Sequence, residues 1–571
     1  MAEMEEANGA SPATGDEVKP YKVHVSSRYV NLTRQKLELT RLPHEGATPP
    51  SEEWWEPKPQ VEPLIDFWLE KYSWRAQEDA LNRIPQFRTA MSVSFSETPI
   101  RLHFIHVASP HKHALPLLLI PPFPFSNLAL THLVKLFTEP EDAANDQPFH
   151  LVIPALPGLG FSDPFPNNTP VISTTANMFN TLMTRLGYQH YLVTNSGSAQ
   201  SSPAEIDWKL VECLSTDYPS SCVGAHFVSP PLASPKLSEA PSEWAKWTIA
   251  NGFNAPILGY SEQDFLALKQ AGAFTKPIKK TRAPATHGLN KVGLGEPNTL
   301  AYAMCDSPTG LLVFILKGLR LLAPRMQLTP EQVITITNLA WLPGPEYAMR
   351  FWAYCAKHDE PKVKRSTKKK AVRPRIGITV FLGVKDKEEG GGGNSVAQEG
   401  INVAIQLEAP TKIESSPRYA CPGWAKARYN VVSSQRVSGE AGLLAWERPE
   451  VILTGVRGLA QGVLKVDKRL QASPEAATSP LEAVVALKET APEYSGLKPP
   501  ERPALEQGDS SRTQVGSQPP SSPKGKELEH APSKHVESPM RDDSNVDDFE
   551  EGATPDTVIL VTAPKDNAGG K

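Results

Sequence analysis

The segment HYLVTNSGSAQSS, residues 190–202, decides how the chain is interpreted. Its first half is a run of β-formers typical of a buried strand, and small residues follow it as in a tight turn. The next residues, PAEIDWKLVECL from position 203, have the pattern of a helix. A strand, a sharp turn and a helix in this order can present a nucleophilic side chain at the tip of the turn.

Short apolar runs alternate with helix-period segments through the middle of the chain. This pattern predicts an α/β fold with a mostly parallel central sheet that is covered on both faces. IRLHFIHVA, from residue 100, is expected to be the first strand of the sheet. The further predicted strands are 116–121, 149–156, 190–195, 223–229, 376–383 and 430–435. Residues 230–375 contain no comparable strand and are expected to form Pro-interrupted helices, which suggests a helical lid.

Composition predicts how the chain is organised along its length. The C-terminal residues are rich in Pro, Ser, Glu and Lys, so they cannot bury enough apolar surface to offset the entropy of ordering, and such a tail could recruit a protein partner. The predicted regions are a disordered leader (1–18), an N-terminal helical arm with the first strand (19–110), a first core half (111–229), the lid (230–375), a second core half with a Gly-rich insertion (376–470) and a disordered tail (471–571).

Charge and cysteine content limit the function classes. The net charge is −4 and both signs are mixed along the 571 residues, so nothing indicates nucleic acid binding. The five cysteines have no CxxC or Cys/His spacing, so we expect free thiols, no metal and no cofactor. No apolar run reaches the roughly 18 to 20 residues of a membrane span, and no signal peptide is recognisable, which predicts a soluble cytoplasmic protein.

Several long motifs occur in order along the chain. They are WRAQEDALNRIPQF (74–87), VIPALPGLGFSDP (152–164), PNTLAYAMCDSPTGLL (297–312) and PGWAKARYN (422–430), followed by ERPE (447–450). On these motifs the chain resembles the microsomal-type epoxide hydrolases, in the form of their soluble fungal relatives, over about residues 19–468.

The resemblance implies an α/β-hydrolase core with a cap, acting on apolar or aromatic epoxides. It also implies a reaction in which a carboxylate attacks an epoxide carbon while lid tyrosines protonate the oxygen. A histidine and acid pair then activates the water that hydrolyses the ester to a diol.

The nucleophile of that family lies in a Gly-Gly-Asp-Trp-Gly turn after the third strand, and ungapped alignment places Gly197 at the aspartate position. Glycine has no group that can attack. Ser196 and Ser198 are candidate substitutes, although serines at such a turn commonly form only local hydrogen bonds. A serine nucleophile would need a base from elsewhere, and the candidates are His106, His226 and His287.

The histidine of the resemblance should precede ERPE, but the sequence has no histidine between His358 and His530. Gly442 stands at its position, or Glu440 if the loop carries two extra residues. A solvated loop carboxylate is the simpler interpretation of Glu440. The acid position after the 376–383 strand holds Val384, with Asp386 as a nearby candidate.

The ring-opening tyrosine positions hold Leu289 and Trp352. The neighbouring lid tyrosines are expected to be packing residues; they are Tyr302, Tyr347 and Tyr354. The oxyanion segment reads PPFPFS (121–126), in which Phe123 still has a main-chain N–H to donate, with Ser198 as a second candidate donor.

All the side-chain positions of the family machinery are therefore substituted. The leading hypothesis is a family member that has lost catalysis and retains an apolar pocket for a small-molecule ligand. One alternative is an active hydrolase with a rewired Ser196 or Ser198 site. Another is a ligand-binding or interaction protein.

Overall fold

The computed structural model describes residues 17–44, 55–166, 169–199, 201–271, 297–322, 327–357, 373–383, 405–406 and 419–470. The chain divides into two units, and one of them, Glu475–Ser538, lies wholly outside the described residues. The predicted tail (471–571), the Gly-rich stretch after position 383 and nearly all of the predicted leader also lie outside them.

A nine-stranded sheet occupies the centre of the described unit, in the order β1-β2-β3-β5-β4-β6-β7-β9-β11. Its strands are β1 (Lys19–Pro20), β2 (Gln86–Met91), β3 (Ile100–Val107), β4 (Leu115–Ile120), β5 (Phe149–Pro154), β6 (Tyr191–Asn195), β7 (Cys222–Val228), β9 (Arg375–Phe381) and β11 (Asn430–Val437). Pairing is antiparallel from β1 to β5 and parallel from β5 to β11. The predicted α/β class with a mostly parallel sheet is confirmed.

Helices cover the sheet on both faces. The helices outside the lid are α1 (Ser27–Glu38), α2 (Lys58–Glu70), α3 (Trp74–Leu81), α4 (Leu133–Thr138), α5 (Val171–Arg185), α6 (Ile206–Asp217), α13 (Leu444–Glu447) and α14 (Pro449–Val466). On β7, Gly224 packs against Val463 of α14, while Phe227 contacts the ring of Trp208 in α6. Successive side chains of a strand point to opposite faces, so α14 and α6 cover opposite faces of the sheet.

One strand prediction was wrong, because IRLHFIHVA is not the first strand of the sheet. β1 and β2 precede it, and β2 pairs with β3 in antiparallel register from Gln86↔Ile105 to Met91↔Ile100. The QFRTAM sequence of β2 alternates weakly and directly follows a helical motif, so sequence periodicity did not separate it from the arm.

The region between β7 and β9 is helical in its described parts. Its helices are α7 (Pro241–Phe253), α8 (Glu262–Gln270), α9 (Pro297–Asp306), α10 (Pro308–Leu322), α11 (Pro330–Trp341) and α12 (Glu346–Lys357). The two-residue strands β8 (Gln327–Leu328) and β10 (Ile405–Gln406) pair with each other. Within the described ranges, no single helix has the length and apolar character to cross a membrane; only the bent pair α9 and α10 does so jointly, by length and composition alone.

The N-terminal arm is anchored to this helical region by buried hydrogen bonds. The Trp341 indole N–H donates to Thr33 Oγ1 at 2.8 Å, and the hydroxyls of Tyr72 and Thr335 lie 3.2 Å apart. Within the arm, the buried Glu78 carboxylate accepts from the Trp74 indole at 2.7 Å. The arm therefore fixes the position of α11, which forms one wall of the cavities described below.

Candidate functional site

The chain after β6 forms a turn in which the Ser198 carbonyl accepts the N–H groups of Ser201 and Ser202. The Ser196 N–H and hydroxyl both donate to the Ile120 carbonyl at the end of β4, and the Ala199 N–H donates to the Val228 carbonyl at the end of β7. These bonds hold residues 196–199 between two neighbouring strands, so α6 begins only at Ile206. The predicted helix after the turn is present: a short 3-10 turn (Pro203–Glu205) leads directly into α6.

Left-handed backbone occurs later in this connection, immediately before α6. Ala204 has φ of 54° and Glu205 has φ of 57°, whereas Gly197 and its two serine neighbours have no positive φ. A nucleophile elbow needs a strained residue at its tip. The strain in this chain therefore lies next to the first turn of α6 and not at Gly197.

The side chain of Asp207 lies in that first turn and is fully buried. Its Oδ1 accepts the Phe123 N–H at 3.0 Å, and its buried Oδ2 accepts no hydrogen bond from the described part of the chain. Burial raises the pKa of Asp207 to about 7, against the lowering effect of the Phe123 amide and the Ser202 hydroxyl. A buried carboxyl with one oxygen left over is a candidate functional group.

This carboxyl lies beside the position that alignment gave to the missing aspartate. A Cβ placed on Gly197 would be 3.7 Å from Asp207 Oδ2 and 3.2 Å from Pro122 Cβ. Sequence reasoning missed Asp207 because it was treated as an ordinary helix residue. The available signal was the dipeptide Asp207-Trp208, which matches the Asp-Trp of the family turn if the connection before it carries an insertion.

The main-chain N–H of Phe123, the predicted oxyanion donor, donates to the Asp207 carboxyl. The Ser198 carbonyl accepts from the N–H groups of Ser201 and Ser202, and its side chain is buried. A donor role for the Ser198 main chain stays a prediction. The candidate nucleophile Ser196 is buried, and its hydroxyl donates to the Ile120 carbonyl at 2.6 Å.

The candidate histidine bases are engaged with other groups. His226 is buried between the hydroxyls of Thr194 (2.9 Å) and Thr379 (2.8 Å), and burial lowers its pKa to about 3. His106 pairs with the Tyr188 hydroxyl at 2.9 Å, and burial lowers its pKa to about 4. The third candidate, His287, lies outside the described residues.

In the loop after β11, where a base was expected, the Glu447 carboxylate occupies the space next to position 442. Gly442 has φ of 58°, and a Cβ placed on it would lie 2.6 Å from Glu447 Oε1. The same Oε1 accepts the Leu443 N–H at 3.0 Å. Glu440 is exposed, and its main-chain carbonyl accepts from the Arg448 guanidinium. Neither position therefore holds an oriented base.

An apolar cavity of about 90 Å³ lies beneath the lid helices α10, α11 and α12. We call it the lid cavity. Phe123, Leu159 and Pro203 bound its core side, while Leu339, Met349 and Trp352 are among the lid residues that line it. Among the described residues, no charged side chain lines this cavity. It can accept a small apolar group.

Trp352, at a predicted tyrosine position, is buried and lies edge-on to the Phe123 ring at a centroid distance of 6.5 Å. The described lid tyrosines Tyr302, Tyr347 and Tyr354 are not among the residues that line the lid cavity. Leu289 and Val384, at the predicted tyrosine and acid positions, and the nearby candidate Asp386 lie outside the described residues. In the described ranges no group of three or more His, Cys, Asp or Glu side chains is arranged to hold a metal ion.

Comparison with known proteins finds a family match for the N-terminal part of the chain and relatives of the longer sequence. Residues 18–130 match the family model described as "Epoxide hydrolase N terminus". The chain is 26% identical to Juvenile hormone epoxide hydrolase 2 of Ctenocephalides felis over 346 residues (58% of this chain), and 26% identical to Epoxide hydrolase 1 of Sus scrofa over 328 residues (54% of this chain). It spans less than two thirds of the length of these relatives, 63% and 64% respectively.

The fold is that of solved epoxide hydrolases. The crystal structure of juvenile hormone epoxide hydrolase from the silkworm Bombyx mori superposes with a TM-score of 0.57 at 18% sequence identity. The match covers 79% of this chain and 95% of the silkworm chain. At this identity the likeness establishes the architecture, and the site must be judged on its own residues.

Proposed function

We propose that this chain, an α/β-hydrolase homologue of the epoxide hydrolase family, binds a small apolar ligand in the lid cavity and does not hydrolyse epoxides over repeated turnovers. The observation that carries the proposal is the pairing of an uncharged cavity with a carboxyl at Asp207 that has no histidine to complete a hydrolytic cycle.

Binding is supported by the chemistry of the cavity wall. Its charge-free lining of aromatic and aliphatic side chains favours apolar groups, because burial of apolar surface is stabilising in proportion to its area. Asp207 is not among the residues that line the cavity, but Phe123, which lines it, donates its main-chain N–H to that carboxyl.

The absence of turnover is supported by the sequence and by the loop after β11. Hydrolysis of a carboxylate ester needs a general base to activate water. No histidine occurs between His358 and His530, and Glu447 occupies the space beside Gly442. In a well-studied serine protease, removing one triad member costs about 10⁶-fold in kcat, so the loss of the base should leave little turnover.

The test uses the purified full chain with styrene oxide and with its diol. We expect each to raise the melting temperature, and Ala348→Trp, which fills the lid cavity, to abolish the shift. Lys246→Ala is a matched control, because its side chain pairs with Glu243 on α7 and is not among the cavity residues. No shift with either compound would contradict the binding proposal.

A second candidate function follows from Asp207 alone. Its unpartnered Oδ2 could attack an epoxide carbon: the oxygen–carbon bond forms, the epoxide carbon–oxygen bond breaks, and the ring oxygen takes its proton from water. Without a base, the ester would persist as a stoichiometric adduct. The Phe123 N–H on Oδ1 favours this role, because it stabilises charge on the carboxyl.

Intact-protein mass spectrometry separates the two candidates. Alkylation adds the whole mass of styrene oxide once per chain, and Asp207→Asn removes the adduct. Asp217→Asn, at the other end of α6, is the matched control and should leave the adduct unchanged. An unmodified mass after prolonged incubation would exclude alkylation and leave binding as the function.

A further inference from the structure

A second cavity lies between the arm and the lid. It has a volume of about 790 Å³ and is more polar than the lid cavity. We call it the polar groove. Its walls come from α3, from the segment 128–132, from α11 and from residues 446–448. The side chains that make it polar are Gln77, Thr131, His132, Glu331, Gln332, Thr335, Glu447 and Arg448.

The polar groove and the lid cavity meet at α11. Ile336 and Leu339, one helical turn apart, line both of them. Both side chains are nearly buried. Ile336 and Leu339 therefore belong to a wall that the two spaces share.

The volumes of the two spaces differ in a way that constrains the ligand. Typical ligand pockets measure about 300–1,000 Å³. The lid cavity, at about 90 Å³, admits only a small group, whereas the groove, at about 790 Å³, has the size of a whole ligand site. A ligand larger than a small apolar group therefore extends beyond the lid cavity, and the groove is the space that shares Ile336 and Leu339 with it.

The charges in the groove are already engaged by this chain. Glu331 accepts from the Gln77 amide at 2.5 Å, and Glu447 accepts from the Leu443 N–H at 3.0 Å. The Arg448 guanidinium donates to the Ser438 carbonyl at 3.0 Å. Two carboxylates and one guanidinium line the groove, so its net charge is negative and it favours a neutral or cationic group over an anionic one.

We propose that the lid cavity and the polar groove form one continuous site for an elongated ligand. A small apolar end enters the lid cavity, and a larger polar end without negative charge lies in the groove. The ligand passes between Ile336 and Leu339. This inference rests on the proposed function, because it requires that the lid cavity binds an apolar group.

The first test uses wild-type full chain and a set of probes in calorimetric titrations. The probes are benzyl alcohol, the benzyl ether of tetra(ethylene glycol), and the same ether ending in a carboxylate. We expect the neutral long probe to bind at least tenfold more tightly than benzyl alcohol, and the carboxylate to lose most of that gain. Equal affinity of benzyl alcohol and the neutral long probe would overturn the inference.

Substitutions at the junction test the path. Leu339→Trp should abolish the affinity gain of the long probe over benzyl alcohol, and Leu339→Ala should preserve that gain. Undiminished binding of the long probe to a folded Leu339→Trp variant would contradict the path. If that variant does not fold, the wild-type probe series still decides the question.

The outcomes separate this inference from the function on which it rests. Ala348→Trp, which fills the lid cavity, should weaken both probes. If benzyl alcohol binds and the long probe binds no more tightly, the inference of a continuous site fails, while the proposal that the lid cavity binds an apolar group remains. If no probe binds, both the inference and the proposed function fail.

Discussion

The two connections at the carboxyl ends of β6 and β11 differ in what they retain. After β6, a carboxyl is still present: Asp207 reaches from α6 to the Phe123 N–H, beside the position of Gly197. After β11, no imidazole is present, and Glu447 and the left-handed Gly442 close the space. In the reaction that the family resemblance implies, ester formation and ester hydrolysis would depend on these two different connections, and we propose that this chain has a group for the first step without one for the second.

The largest expected effect concerns the pH dependence at Asp207. Its folded-state pKa of about 7 lies above the roughly 3.9 of an unfolded aspartate, so the protonated form is favoured by folding. This stabilisation is complete below about pH 4 and is lost as the pH rises through 7. Asp207→Asn mimics the protonated carboxyl and should be more stable than wild type at pH 8 by about 4 kcal/mol, with little difference at pH 4.

Urea unfolding of both proteins between pH 4 and pH 8 measures this effect. Because the comparison is a difference, other titrating groups such as the buried His226 contribute equally to both proteins and cancel. Parallel stability profiles for wild type and Asp207→Asn would show that the carboxyl is not held in a desolvated state. Asp207 would then no longer distinguish the connection after β6 from the one after β11.

A smaller effect is expected in the loop after β11. Gly442→Ala should destabilise the protein by about 2 kcal/mol, because the new Cβ meets Glu447 Oε1 in a backbone conformation that disfavours side chains. Gly439→Ala is the matched control: its φ is 79°, but nothing lies within 4 Å of its Cβ position, so it should cost only about 1 kcal/mol. Chemical denaturation ranks the two, and equal costs would show that position 442 has room for a side chain.

The smallest effect is expected at Ser196. Ser196→Ala removes the hydroxyl that donates to the Ile120 carbonyl and should lower the free energy of unfolding by about 1 kcal/mol. Ser198→Ala is examined beside it for reactivity. After exposure to an aryl ester or epoxide, both variants should carry the same covalent adducts, if any, as the wild type. A covalent adduct that disappears in either variant would restore the serine alternative.

Features of this molecule that follow from hydrophobic patterns along the chain could be predicted from the sequence. Features that depend on the path of the backbone could not. The sheet strands β3, β4, β5, β6, β7, β9 and β11 were predictable as short runs of β-forming residues bounded by turn residues, whereas the two-residue strands β8 and β10 were not predicted. β2 was missed because its polar and apolar residues alternate only weakly. Asp207 was missed because alignment without gaps could not show that the chain after β6 stays hydrogen-bonded to both neighbouring strands before α6 begins.

The sequence shows that no histidine precedes ERPE, but it does not show what surrounds position 442. The missing histidine is visible in the residue order, whereas the contact with Glu447 depends on the path of the loop. The polar groove likewise joins residues from four separate segments, so no local pattern indicates it.

The most direct test of the central claim is a count of diol molecules released per chain when the purified full-length protein is incubated with a large excess of styrene oxide. If the connection after β6 retains a carboxyl while the one after β11 provides no base, diol above the uncatalysed background should stay below one per chain at all times. Linear diol production to many equivalents per chain, abolished by Asp207→Asn, would contradict the account.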